Sequence, residues 1–130
     1  KIIEQEIGRI NGKYSTLSWQ PIIYRYSHLS FDELTALYHT SDVGLITPLR
    51  DGMNLVAKEY IASTQEKGVL ILSELAGAAN ELGEAILVNP LDEHEVADAI
   101  SQALAMPEDI RKAKTEALQR RLRDYTVVHW

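Results

Sequence analysis

The segment from residue 43 to residue 65 constrains the fold of this chain most strongly. Its apolar run 43–47 is typical of a buried parallel strand, and the residues after Asn54 have the pattern of a helix that ends near Gln65. Asn54 is a suitable N-cap for that helix, and Gly52 lies in the turn between the two elements. This strand, turn and helix start predict an α/β fold. The unpaired N–H groups of the first helical turn would form an anion site.

The turn also carries more polar side chains than a plain connection needs. Arg50, Asp51 and Asn54 lie within it, and Glu59 follows five residues after Asn54, in the second turn of the predicted helix. Phosphate bound at the turn and hydroxyls bound at the Glu59 carboxylate would together describe a nucleotide sugar. A structural interpretation stays open beside it, because Asp-Gly is common in turns, Asn is a common cap and Glu59 could lie on a solvated face.

The rest of the chain alternates between strand and helix patterns, which predicts a parallel sheet flanked by helices. Ser30 and Glu33 form a capping box, Asn11-Gly12 is expected to end the first helix, and Met106-Pro107 is expected to separate the last two. The predicted helices are 1–10, 31–41, 54–65, 92–105 and 108–123, with a short helical turn after Gly77. The predicted strands are 21–26, 43–47, 69–73 and 85–88.

Composition narrows the class of protein further. A length of 130 residues suits a single domain, 1–130, and the net charge of −6 argues against general nucleic-acid binding. No apolar run is long enough to span a membrane. The chain has no Cys, which excludes disulfides and thiolate metal ligands and fits a cytoplasmic protein. Its four His residues show no metal-ligand spacing, so we expect no metal site.

Several segments together resemble one enzyme family. The segment 49–60, Leu-Arg-Asp-Gly-Met-Asn-Leu-Val-Ala-Lys-Glu-Tyr, resembles the donor-binding signature of trehalose-6-phosphate synthases, the family 20 retaining glycosyltransferases. Further segments stand in the order of that family: 8–14, 41–43, 70–79 and 88–90. A long block with four ordered satellites is far more specific than a lone glycine motif.

The resemblance implies a fold and a reaction. The chain would be much of the C-terminal half of a two-domain GT-B glycosyltransferase fold, with a Rossmann-like parallel sheet that binds the donor. Such enzymes transfer glucose from UDP-glucose to glucose 6-phosphate, giving trehalose 6-phosphate with retention, without a cofactor or a metal. By motif position, Asp51 would be the catalytic residue and would bind donor-glucose hydroxyls, while Glu59 would bind the ribose. The remaining donor-binding residues would be Gly52, Met53, Asn54, Leu55 and Val56.

The resemblance also implies what this chain lacks. The basic pair that neutralises the donor pyrophosphate in the family would precede Lys1, and the acceptor-binding half would be missing, so we expect this fragment to be inactive alone. A sister enzyme such as glucosylglycerol-phosphate synthase and a non-catalytic regulatory homologue remain alternatives. We expect partners among nucleotide sugars and neither nucleic acid nor membrane. Apolar surface left uncovered by a missing half would favour a homo-oligomer.

Overall fold

The computed structural model describes residues 2–25, 29–50, 55–64, 68–80 and 82–129. It divides the chain into two compact units, residues 1–30 and residues 31–130. The first unit holds one helix and a loop, and the second holds a parallel sheet with helices. None of the described helices combines the length and the apolar character that a membrane span requires.

The helix of the first unit, α1, covers Ile2–Tyr14. The prediction that Asn11-Gly12 ends it is wrong. Asn11 uses its side chain elsewhere: its amide nitrogen donates to the Ile22 carbonyl at 2.9 Å, and its amide oxygen accepts from the Ile22 N–H at 3.0 Å. Gly12 lies within the helix, and no atom lies within 4 Å of the place its Cβ would take. A glycine inside a helix costs only about 1 kcal/mol relative to Ala.

The predicted strand 21–26 is not formed by residues 21–25, and Tyr26 lies outside the described residues. The Ile22 N–H and C=O, which a ladder would need, are both bonded to Asn11. Ile23 is 75% exposed, so this apolar side chain is not buried as a strand in a sheet would bury it. The two hydrogen bonds between Asn11 and Ile22 therefore outweigh the β propensity of the segment.

The second unit follows the predicted alternation of helices and strands closely. Its last helix extends six residues beyond the expected end at Arg123, and its other described boundaries lie within about two residues of prediction, the usual uncertainty of element ends. In chain order the elements are α2 (Phe31–Thr40), β1 (Val43–Ile46), α3 (Leu55–Ser63), β2 (Val69–Ser73), a 3-10 turn (Gly77–Asn80), β3 (Ile86–Val88), α4 (Glu93–Ala105) and α5 (Glu108–His129).

The described strands form one parallel sheet in the order β1-β2-β3. Val43 pairs with Val69 and Ile71 pairs with Ile86, so β2 lies in the middle. Every residue of β2 is buried, as its continuous apolar sequence predicts. β1 is only partly buried, and Leu45 is 45% exposed. The expectation of a buried first strand is therefore wrong, because β1 pairs with a single described neighbour, and the described sheet has three strands where four were expected.

The core lies on both faces of this sheet. Side chains alternate along β2, so Leu70 and Leu72 face α3 and α5, whereas Ile71 faces α4. The first face packs against Tyr60, Ile61 and Leu118, and the second against Ala99, Ala103 and Met106. Ala99 and Ala103 form the inward face of α4, with Val96 and Ile100 packed at its margin.

The ends of α4 follow the sequence signals for a helix start and stop. The Asp92 side chain caps the helix by accepting from the Glu95 N–H at 3.1 Å. Met106 has extended backbone angles at the C-cap, as expected for a residue that precedes proline. Local sequence signals therefore set both ends of this helix.

Candidate functional site

The turn expected to bind a nucleotide sugar lies between β1 and α3. β1 ends at Ile46 and α3 begins at Leu55, so the predicted strand and the predicted helix are both present. Asp51, Gly52, Met53 and Asn54 lie outside the described residues. Arg50, the last described residue before them, is exposed. The flanking elements therefore frame the turn at the carboxyl edge of the sheet, where α/β folds bind ligands.

Two of the expected donor-binding residues lie on the open face of α3. Val56 is 46% exposed and Glu59 is exposed, while Ala57, Tyr60 and Ile61 are buried in the core. Val56 and Glu59 share one face because residues three apart in a helix are neighbours. Leu55 forms the first residue of α3. The helix thus presents the Glu59 carboxylate outward from its second turn, as the sequence predicts.

Contacts along and beyond the second turn of α3 hold the helix in place. The Tyr60 ring lies against Gly44, where a Cβ atom would come within 2.9 Å of it, and its hydroxyl donates to the Ser41 carbonyl at 3.4 Å. The side-chain amide of Gln119 on α5 donates to the carbonyls of Ile61 and Thr64, each at 3.0 Å. These two hydrogen bonds satisfy carbonyl groups near the end of α3, where a helix has no partner of its own for them. The backbone that carries Glu59 is therefore fixed by β1 and by α5.

Tyr38 on α2 is a neighbour of this site that the sequence did not reveal. Its ring meets the Tyr60 ring edge to face, with centroids 6.0 Å apart and planes at 88°. Burial raises the pKa of Tyr38, and the negative charge of Glu59 raises it further. Tyr38 and Glu59 lie 21 residues apart in different helices, so no local sequence pattern links them.

An apolar cleft of about 290 Å³ runs along α2, β1 and α3 beside this face. Val56 and Tyr60 line its α3 side, and Leu34 and Tyr38 line its α2 side. Its walls are mostly apolar, so the cleft suits an apolar group and provides few hydrogen-bond partners. In the part of the chain that the structure describes, no three His, Asp or Glu side chains are grouped to hold a metal ion.

Polar residues at the ends of the other two strands are largely committed to their turns. Ser73 is fully buried and its hydroxyl accepts from the Leu75 N–H at 3.0 Å. The Asn89 side chain accepts from the Leu91 N–H at 3.0 Å, and its backbone N–H donates to Glu95 at 2.9 Å. Glu74 donates its N–H to the Val88 carbonyl and leaves its side chain exposed. His28, a sequence candidate for contact with the ligand, lies outside the described residues.

Comparison with known proteins identifies the family of the chain. The sequence model of Glycosyltransferase family 20 matches residues 1–130. The chain is 54% identical over 129 residues to a bifunctional trehalose-6-phosphate synthase/phosphatase of Thermoproteus tenax, a match that covers 98% of this chain and 18% of the relative. The chain therefore belongs to glycosyltransferase family 20.

Solved structures give the same result. A UDP-forming alpha,alpha-trehalose-phosphate synthase from Burkholderia xenovorans, in complex with glucose-6-phosphate, matches with a TM-score of 0.91 and 46% identity, covering 95% of this chain and 28% of its own. A trehalose-6-phosphate structure from E. coli, bound with UDP-2-fluoro glucose, matches with a TM-score of 0.93 and 48% identity, covering 98% and 29%.

These matches confirm the predicted fold class and limit what the chain represents. The fold is α/β, with a Rossmann-like parallel sheet that forms part of a GT-B glycosyltransferase. The chain spans less than a third of the length of each relative described above.

Proposed function

We propose that this chain is the donor-nucleotide-binding part of a glycosyltransferase that moves glucose from UDP-glucose to glucose 6-phosphate and forms trehalose 6-phosphate. The observation that carries the proposal is the family match over the whole chain, combined with the outward-facing Glu59 on a helix that begins at the donor-binding turn. The relatives bound with UDP-2-fluoro glucose and with glucose-6-phosphate support the same two substrates.

In this proposal each described element has a task. The first turn of α3, from Leu55 and Val56, faces the pyrophosphate with unpaired N–H groups and a positive helix dipole. The Glu59 carboxylate accepts hydrogen bonds from both ribose hydroxyls. Asp51 would bind the glucose hydroxyls, with the backbone of Gly52, Met53 and Asn54 at the sugar and the phosphates.

The proposal includes the setting in which the enzyme works. Residues 1–130 act as one nucleotide-sugar-binding domain in a cytoplasmic enzyme, without a metal or cofactor. The absence of Cys is in keeping with that compartment. The chain alone is expected to lack transferase activity, because the acceptor-binding residues and the basic pair are expected elsewhere in the enzyme. UDP release by this chain that depends on glucose 6-phosphate would contradict that expectation.

Titration of the chain with UDP, GDP and ADP, followed by heteronuclear NMR, tests the donor site. We expect UDP to shift resonances of α3 and of the strand-end loops, and Glu59→Ala to weaken binding by roughly tenfold to hundredfold, since two hydrogen bonds to a carboxylate are lost. Glu116→Ala is the matched control because Glu116 is an exposed carboxylate on α5. A folded chain that binds none of the three nucleotides would favour the regulatory homologue instead.

A chimera tests the transfer reaction itself. The matching segment of the Burkholderia xenovorans synthase is replaced by this chain, and UDP release is measured with UDP-glucose and with GDP-glucose. Transfer to glucose 6-phosphate that is lost with Asp51→Ala, while circular dichroism stays unchanged, is the expected result. A folded chimera that uses neither donor would contradict the proposal.

A further inference from the structure

The far end of α3 accepts hydrogen bonds from the helices on either side of it in the sequence of the fold. The side-chain amide of Gln119 on α5 donates to the carbonyls of Ile61 and Thr64, each at 3.0 Å. On α2, the Nδ1 atom of His39 lies 3.3 Å from the Ser63 carbonyl. The helix that begins at the donor-binding turn is therefore held at its other end by side chains of α2 and α5.

Gln119 makes the larger of these two attachments. Both of its partners are carbonyl oxygens, which only accept, so both N–H groups of its amide are committed to α3. The part of α5 that carries Gln119 is itself well packed, because Thr115 and Leu118 are 1% and 3% exposed. Leu118 lies in the same core cluster as Ile61. Gln119 therefore bonds to α3 from a fixed position.

These bonds lie close to the proposed ribose-binding carboxylate along the helix. Glu59 is two residues before Ile61, which corresponds to about 3 Å along the helix axis. α3 has nine residues and is about 14 Å long. Such a short hydrogen-bonded helix moves almost as one piece, so a change at Ile61 or Thr64 is passed on to Glu59. A binding group must be held to within about 0.5 Å to keep its contacts.

We propose that Gln119 is a positioning residue of the donor site, whose two hydrogen bonds fix the end of α3 and so hold the Glu59 carboxylate where the ribose binds. This inference rests on the proposed function, because it assumes that Glu59 binds ribose hydroxyls. Ile61 is buried and Glu59 is exposed, so Gln119 reaches α3 from its core side and Glu59 faces outward. The influence of Gln119 on the ligand therefore passes through the backbone of α3.

The first test compares UDP with an analogue that lacks the ribose hydroxyls. Gln119→Met removes both donors but keeps an unbranched side chain with a similar helix preference. We expect it to weaken UDP binding by about two- to tenfold, as for the loss of one neutral hydrogen bond, and to weaken binding of 2′,3′-dideoxy-UDP less. Gln119→Glu should weaken UDP binding at least as much, because a carboxylate cannot donate to the two carbonyls. Gln102→Met, at an exposed glutamine of α4, is the matched control.

The orientation of α3 can also be measured without a ligand. Residual dipolar couplings of the amides of α3, compared with those of β2 and α4, report the tilt of the helix, and we expect Gln119→Met to change them. Ala99→Gly controls for stability, because it weakens α4 on the opposite face of the sheet. This variant should leave both the orientation of α3 and the binding of UDP unchanged.

The outcomes separate this inference from the proposed function. An unchanged orientation of α3 in Gln119→Met, or equal weakening of UDP and dideoxy-UDP binding, would overturn the positioning role. Equal weakening of UDP binding by Ala99→Gly would also overturn it, since lowered stability would then explain the effect. UDP binding that depends on Glu59 but ignores both Gln119 variants would leave the proposed function standing without the inference. If the unaltered chain does not bind UDP, the proposed function fails and the positioning role fails with it, even where Gln119→Met tilts α3.

Discussion

The Thr115 hydroxyl on α5 donates to the carbonyl of Gly68, the residue directly before β2, at 3.0 Å. This hydrogen bond is buried. This bond joins the last helix to the central strand across 47 residues of sequence. Because β2 also anchors β1, whose end precedes the donor-binding turn, α5 supports the site through the sheet as well as through Gln119.

Replacing Thr115 by Val should destabilise the chain by about 1–3 kcal/mol, since the change keeps the shape but leaves the buried Gly68 carbonyl without its donor. Urea unfolding at neutral pH measures the effect. Thr115→Ser keeps the hydroxyl and should lose much less. A Thr115→Val variant as stable as the unaltered chain would show that the hydrogen bond does not matter at this position.

Gly68 itself cannot accept a side chain without displacement of its neighbours. A Cβ atom there would come within 2.2 Å of the Tyr60 hydroxyl and 2.3 Å of the Thr64 hydroxyl. We expect Gly68→Ala to cost about 1–3 kcal/mol, the usual penalty for overpacking a core. Gly83→Ala is the control because no atom lies within 4 Å of its added Cβ. Thermal unfolding that ranks the two variants equally would contradict the packing described for Tyr60.

The ion pair between Glu84 and Arg121 predicts a pH dependence. Their side chains approach to 2.5 Å, and the Arg121 guanidinium holds the pKa of the Glu84 carboxyl below its ordinary value, with Lys114 acting in the same direction. A lowered pKa in the folded state adds stability above the unfolded value of about 4.3, and this contribution is lost as pH falls through the folded value.

Arg121→Met should therefore lower stability at pH 7, and its difference from the unaltered chain should shrink on acidification toward about pH 3. The loss at pH 7 should be small because both side chains are partly exposed. Denaturant unfolding across this pH range measures it, with Arg123→Met, another exposed arginine of α5, as control. A difference that is constant with pH would exclude the Glu84 carboxylate as its cause.

The two hydrogen bonds between Asn11 and Ile22 predict a local effect in the first unit. Asn11→Ala removes both, so the Ile22 amide should exchange with solvent faster, by roughly tenfold or more for the loss of one to two bonds. Hydrogen exchange followed by NMR reports this directly. Gly12→Ala should leave the Ile22 amide unchanged, since its Cβ would point into open space. Unaltered exchange in Asn11→Ala would mean that other contacts hold the loop.

The sequence by itself determined the order of elements in the second unit. Short-range signals placed them: the Asp92 cap, the Met106-Pro107 break and the continuous apolar run of β2 are all local, and each had the predicted result. The position of Glu59 in the second turn of α3 also followed from the sequence. The β2 run and the start of α3 also lie in segments that carry the family resemblance, which is why the fold class and the family could both be predicted.

Only the tertiary structure decided the features that depend on residues far apart in the chain. The Asn11 side chain pairs with Ile22, so α1 continues past its expected end and the 21–25 segment does not form a strand. The Tyr38 ring on α2 meets the Tyr60 ring on α3, which also lies against Gly44 of β1. Local propensities are worth a few tenths of a kcal/mol to about 1 kcal/mol per residue, and packing or a pair of buried hydrogen bonds readily exceeds them.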